Sequence, residues 1–218
     1  MFEKEHVSLH YTAVPGQPWP ALEQAWLPRL PVAKRASIVR LREARDRNAT
    51  LLGIALLGSA LQAAGVPFDP GAITFRPRAK PALAGAPDFS IAHAASLVGC
   101  ALASGGRVGF DLEALDAVAP ARLRLALDAA EQQRLARGEL TATAAWVMKE
   151  AVLKAAGRDL AAVARVRLDG DAATLDGAMF HLVPVALAAT HVAWLAHERQ
   201  PLALRVVRRE AAEFAPLP

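Results

Sequence analysis

The twelve residues Trp146-Val-Met-Lys149-Glu150-Ala-Val-Leu-Lys154-Ala-Ala-Gly157 constrain this chain more than any other segment. At 3.6 residues per turn, Trp146, Lys149, Glu150, Leu153, Lys154 and Gly157 fall along one broad stripe of a helix. A stripe built only for burial would be apolar. This one carries a carboxylate, with an ammonium group one residue before it and another four residues after it. Such a grouping suits a site that holds a metal ion and a phosphorylated ligand together. Upstream, Gly109-Phe110-Asp111-Leu112-Glu113 supplies two more carboxylates at strand spacing. Residues two apart on a strand point the same way, so Asp111 and Glu113 can converge on one cation, although spacing alone fits a pair of exposed strand-end acids and a surface Glu150 at least as well.

The rest of the composition narrows the setting. A chain of 218 residues, 54% apolar and 21% charged, is long enough to bury a core in one domain or two small ones. No apolar run reaches the roughly 18–20 residues needed to span a bilayer. The longest candidate, Leu51 to Leu61, reads as a buried helix. The opening Met-Phe-Glu-Lys-Glu-His lacks the apolar stretch of a signal peptide. The single Cys100 excludes an internal disulfide and a cysteine zinc site. These features lead us to expect a cytoplasmic protein with no membrane partner. The net charge of +4 favours anionic partners. With one Tyr and no basic block interleaved with aromatics, nucleic acid is not the expected partner. An acidic protein or a multiply phosphorylated small molecule fits the charge. The Arg205 to Arg209 cluster reads as a solvated face.

Turn residues and apolar periodicity predict a strand over 7–14, short helices over 21–27 and 33–41, and a long helix over 46–64 stopped by Gly65 and Pro67. Strands are expected over 72–76, 89–92 and 96–104. Gly105-Gly106 is read as a hairpin turn into a strand over 108–113. An Arg-rich amphipathic helix is expected over 121–136, followed by the motif helix over 141–156, which Gly157 would end as a C-cap. Strands over 163–168, 179–185 and 188–196 follow, with turns at Asp169-Gly170 and Asp176-Gly177. The order is coarsely twofold, with strand, helices and strands occurring twice. The expected division is therefore 1–105 and 106–218.

The two motifs together resemble those of the 4′-phosphopantetheinyl transferases of the surfactin-synthetase type. That family carries G-(I/V/F)-D-(I/L/V)-E, followed some 35–45 residues later by W-x-x-K-E-x-x-x-K-x-x-G. Every fixed residue of both patterns is present here. The resemblance extends from about Lys34 to about Leu168. It implies an α+β fold of two similar halves related by a pseudo-twofold axis. Each half would be a small antiparallel sheet with a long helix, and the active site would lie in the cleft between them.

The resemblance also implies a chemistry. The 4′-phosphopantetheine arm of coenzyme A would pass to a serine of an apo acyl or peptidyl carrier protein, with release of 3′,5′-ADP. Mg²⁺ would be held by Asp111, Glu113 and Glu150. Glu150 would be the base for the serine hydroxyl, and Lys154 would offset charge on the phosphates. His93, in Phe89-Ser-Ile-Ala-His93-Ala, corresponds to the family's coenzyme A-contacting histidine. Lys80-Pro81 matches the end of the family's G-K-P, making Lys80 a phosphate ligand. Thr50 and Lys34 align with nucleotide-binding positions, and Arg40 is a looser candidate. A chain that already holds two halves has no need to dimerise, so a monomer is expected. Three departures stand out: Ala49 for an arginine, Ala79 for a glycine, and Ala92 for a hydroxyl residue. Arg45 or Arg47 is expected to replace the lost arginine. A hydroxyl at 92 would reach the nucleotide only if the strand had ended by Ile91. The departures also motivate an alternative, a non-catalytic descendant that binds coenzyme A or a carrier protein without turnover.

Overall fold

The computed structural model describes residues 6–115, 117–119, 123, 125–200 and 203–217. From residue 6 the chain forms β1 (His6–Ala13), α1 (Pro20–Trp26), α2 (Val32–Val39), α3 (Ala44–Ala63), β2 (Phe89–Ala94) and β3 (Leu97–Ala103). It continues through β4 (Val108–Ala114), α4 (Ala129–Ala136) and α5 (Ala142–Ala156). The strands β5 (Arg167–Asp169), β6 (Ala172–Leu175), β7 (Ala178–Pro184), β8 (His191–His197) and β9 (Ala203–Arg208) complete it. The fold is mixed α and β with two sheets, ordered β2-β3-β1-β9 and β4-β8-β7-β6-β5. None of the described helices is long and apolar enough to cross a membrane.

The chain divides into two compact units, residues 1–105 with 203–218, and residues 106–202. The last segment corrects the expected division. β9 pairs in parallel with β1, His6 opposite Ala203 through Tyr11 opposite Arg208, so residues 203–218 belong with the first unit. Their charge had hidden the strand. Most side chains of β9 are exposed, and Arg205 and Arg208 indeed face solvent, as an edge strand allows. Gly105-Gly106 is likewise not a hairpin turn, because β3 and β4 lie in different sheets. The pair marks the passage from the first unit to the second.

In the first unit, α3 lies over one face of the sheet. Leu51, Leu52, Leu56, Leu57 and Leu61 are buried in it, together with Val98, Cys100 and Leu102 of β3. Gly53 sets the approach, since a Cβ there would stand 2.7 Å from Ile91 Cγ2. Buried Asn48 donates to Pro15 O (2.8 Å) and Gln17 O (2.9 Å), which ties the start of α3 to the loop after β1. The strand expected over 72–76 is reduced to a single bridge, Thr74 to Ala82, after a 3₁₀ turn at Pro70–Ala72.

The second unit packs α5 on β4 and β8. Residues 121, 122 and 124 of the expected long helix lie outside the described residues. The observed helix starts only at Ala129, because Asp128 and Glu131 form a capping box. Their reciprocal bonds are Glu131 N to Asp128 Oδ1 (2.8 Å) and Asp128 N to Glu131 Oε2 (2.9 Å). The strand expected over 163–168 is mostly a 3₁₀ segment, Leu160–Arg165, with β5 only beginning at Arg167. The Asp176-Gly177 turn between β6 and β7 forms as expected, both residues having positive φ (53° and 81°). Arg158 and Arg165 both pair with Asp176 there.

Candidate functional site

The site is built where α5 crosses β4. A Cβ on Gly109 would lie 1.9 Å from Ala151 O and 2.5 Å from Ala155 N, both backbone atoms of the helix. No side chain fits there, and glycine lets helix and strand approach backbone to backbone. The pleat carries the same face onward to Asp111 and Glu113. At that point Lys154 Nζ meets Asp111 Oδ1 at 2.5 Å. Two motifs that lie about forty residues apart in sequence are thus joined side chain to side chain. The aspartate is nearly buried and the lysine about a quarter exposed, so water reaches the pair from the lysine side. Just beyond Lys154 the helix ends in a Schellman closure, with Arg158 N donating to Leu153 O (2.9 Å), Gly157 N donating to Lys154 O (3.3 Å), and Gly157 at φ 64°.

The motif stripe therefore splits along its length. Trp146 and Leu153 are buried in the core of the second unit. Lys149, on the same stripe, is completely buried. Its ammonium pairs with Glu131 Oε2 at 2.8 Å and donates to Val166 O. Glu131 is itself held by Asp128 N and by Leu168 N, which donates to Oε1 at 2.9 Å. One carboxylate thus ties together the start of α4, the middle of α5 and the start of β5. Burial pushes the Lys149 pKa down, and the bond from Glu131 opposes that shift. The structural signal was present in the sequence, since Asp128-x-x-Glu131 has capping-box spacing. What could not be read was that Lys149 reaches it. Glu150 and Lys154, by contrast, are both partly exposed.

Asp111, Glu113 and Glu150 offer carboxylate oxygens, the ligand type a hard divalent cation takes. Asp111 and Glu113 share a face of β4, and Glu150 is carried by the helix packed on that strand. The donor chemistry fits Mg²⁺. Among the described residues, however, no three His, Cys, Asp or Glu side chains are grouped closely enough to hold a metal as they stand.

Of the expected nucleotide ligands, all but Lys154 lie in the first unit. Lys34, on α2, has its ammonium 4.8 Å from the centre of the Phe75 ring, and burial lowers its pKa. Thr50 donates its hydroxyl to Asp46 O (2.8 Å), a bond back into its own helix. Lys80 pairs with Asp88 at 2.5 Å. His93 is exposed on β2, on the α3 side of the sheet with Ile91.

Strand β2 does not end at Ile91. It runs to Ala94, with Ala92 opposite Gly99 and Ala94 opposite Leu97. Alternation turns Ala92 to the other face, where it is 5% exposed. A serine at 92 would therefore point away from His93, and the expected contact between residue 92 and a nucleotide does not hold. Ala49, where the resemblance leads one to expect an arginine, is also buried, in the α3 core. Of the two neighbouring arginines, Arg47 is engaged by Glu23 (3.0 Å), Leu41 O (2.8 Å) and Arg42 O (3.1 Å). Arg45 is exposed beside Gly16, where it makes no ion pair among the described residues. Arg40 is also exposed.

In comparisons with models of known families and with curated proteins, the chain matches none.

Proposed function

We propose that the protein transfers the 4′-phosphopantetheine group from coenzyme A to a serine hydroxyl of an apo acyl or peptidyl carrier protein. The observation that carries this reading is the contact of Lys154 with Asp111 across the Gly109 crossing. It joins the G-x-D-x-E strand and the W-x-x-K-E-x-x-x-K-x-x-G helix, whose residue types suit a diphosphate substrate. Asp111 and Glu113, with Glu150, would hold Mg²⁺, which when bound supplies positive charge to the diphosphate and orients it. Glu150 accepts the proton of the attacking serine hydroxyl, directly or through water. Lys154, released from Asp111, offsets the charge that develops on the leaving 3′,5′-ADP. Lys34, Thr50, Lys80 and His93 are the proposed nucleotide ligands. Arg45, with no ion pair among the described residues to give up, takes the place of the arginine absent at 49. The pseudo-twofold relation of the halves, and the cleft that goes with it, are part of the same proposal. So are a monomeric state and a cytoplasmic location.

A second reading is favoured by the internal partners of the proposed ligands. Lys80 is paired with Asp88, and Thr50 is bonded to its own helix. The protein would then bind coenzyme A or a carrier protein without turnover. Transfer by the unsubstituted protein separates the two, and Glu150→Gln then tests the role of the base. For a catalyst, it slows single-turnover transfer by about 10²–10⁴ while leaving coenzyme A binding, measured by calorimetry, nearly unchanged. Equal losses in rate and affinity would reduce Glu150 to a positioning group. Absence of transfer by the unsubstituted protein would favour the second reading.

A further inference from the structure

The first unit holds a cavity of about 650 Å³ that the proposed chemistry does not use. Its size suits a drug-sized ligand. The walls are apolar and flat, formed by Trp26, Phe68 and Phe214. Phe68 lies against α3 because residue 58 is glycine, where a Cβ would stand 2.7 Å from the ring. Trp26 is fixed by its indole N–H, which donates to Phe214 O at 3.2 Å. The polar groups are few and placed. Ser59 and Gln62 line the α3 side. Behind Ser59, buried His10 has Nδ1 3.2 Å from the serine Oγ. Burial, followed by Arg209 and Arg205, pushes the His10 pKa down and so disfavours the charged imidazolium.

The charges lining the cavity are Arg29, Arg209 and Glu213. Arg209 is committed to Glu213 at 2.5 Å. Arg29 lies over the Trp26 ring, 4.7 Å from its centre, and pairs with no carboxylate among the described residues. Two guanidiniums and one carboxylate leave a single positive charge, carried by a guanidinium that already lies over the Trp26 ring. We propose that this cavity is a binding site for a planar aromatic carboxylate. Its single negative charge would be taken bidentately by Arg29, and its ring would lie among Trp26, Phe68 and Phe214. A dianionic phosphate would overcompensate the one positive charge. The inference does not rest on the transfer reading, because it uses none of the motif residues.

Calorimetric titration of the full chain with 2-naphthoate and with uncharged 2-naphthamide tests it. The naphthoate should bind saturably at one site, and the amide at least about tenfold more weakly. Arg29 is exposed, so Arg29→Gln should leave the thermal midpoint in place while weakening naphthoate binding by about tenfold or more. Gln62→Trp, which fills the cavity from an exposed position, should abolish binding. The proposal is overturned if naphthoate does not saturate, if the amide binds equally well, or if neither substitution weakens binding.

Discussion

Lys149 and Lys154 stand five residues apart on one helix, each paired with a carboxylate, yet the two pairs differ in kind. The Lys149–Glu131 pair is sealed, with side-chain exposures of 0% and 1%, and its carboxylate is further bonded to two backbone amides. The Lys154–Asp111 pair is wet on its lysine side, with exposures of 27% and 7%. A buried pair is expensive to break and cannot respond to a ligand. A wet pair costs little to open, so its lysine can exchange a carboxylate for a phosphate oxygen. One sequence motif therefore serves two purposes. Its first lysine holds the second unit together, and its second lysine faces the proposed chemistry.

The largest expected effect is at the crossing that positions both pairs. Gly109→Val places side-chain atoms where the α5 backbone runs, and should cost more than about 4 kcal/mol of unfolding free energy. A loss below about 1 kcal/mol in urea titration would show that the close approach does not set the site. Next is the sealed pair. Lys149→Met leaves Glu131 buried without its ammonium and should cost about 3–5 kcal/mol. Adding Glu131→Leu should recover little or none of that loss, because the same carboxylate also caps α4 and accepts from Leu168 N. Full recovery would mean that the pair, and not the backbone bonds of Glu131, is what matters.

Opening the wet pair should be milder. Asp111→Ala releases Lys154 toward water and should change stability by no more than about 1 kcal/mol, while abolishing the proposed transfer. A large stability loss would erase the contrast between the two lysines. The smallest effect concerns His10 in the first unit, whose pKa lies below 6.5 in the folded chain. The unfolded chain takes up this proton first as pH falls. His10 therefore lowers stability progressively as pH drops through 6.5 toward its folded pKa, and adds no pH dependence well above 6.5. His10→Gln should flatten the urea midpoint over that window, and an unchanged slope would place the titration elsewhere.

How much of this was legible in the sequence depends on the range of the interaction. α3, α5 and the Asp176-Gly177 turn are written in local periodicity and in residues with special φ, and they form close to where these signals put them. The Gly157 cap is local too. β9 was missed because the burial pattern of an exposed edge strand is weak and its partner β1 lies nearly two hundred residues away. The strand expected over 163–168 gave way to a 3₁₀ segment, since apolar content alone does not distinguish the two. At the site, Asp111, Glu113 and Lys154 were readable as a set, and the structure brings Lys154 to Asp111. The need for Gly109 and the burial of Lys149 were not readable, because both depend on which helix crosses which strand.

The central claim is that the wet end of the motif performs the transfer while the sealed end only supports it. An apo carrier protein incubated with coenzyme A, Mg²⁺ and this protein, then weighed by intact mass spectrometry, tests this most directly. The account predicts that the carrier gains the mass of one phosphopantetheine group with the unsubstituted protein, and that this gain is lost with Asp111→Ala. A carrier of unchanged mass after incubation with the unsubstituted protein, or one modified equally well by Asp111→Ala, would contradict it.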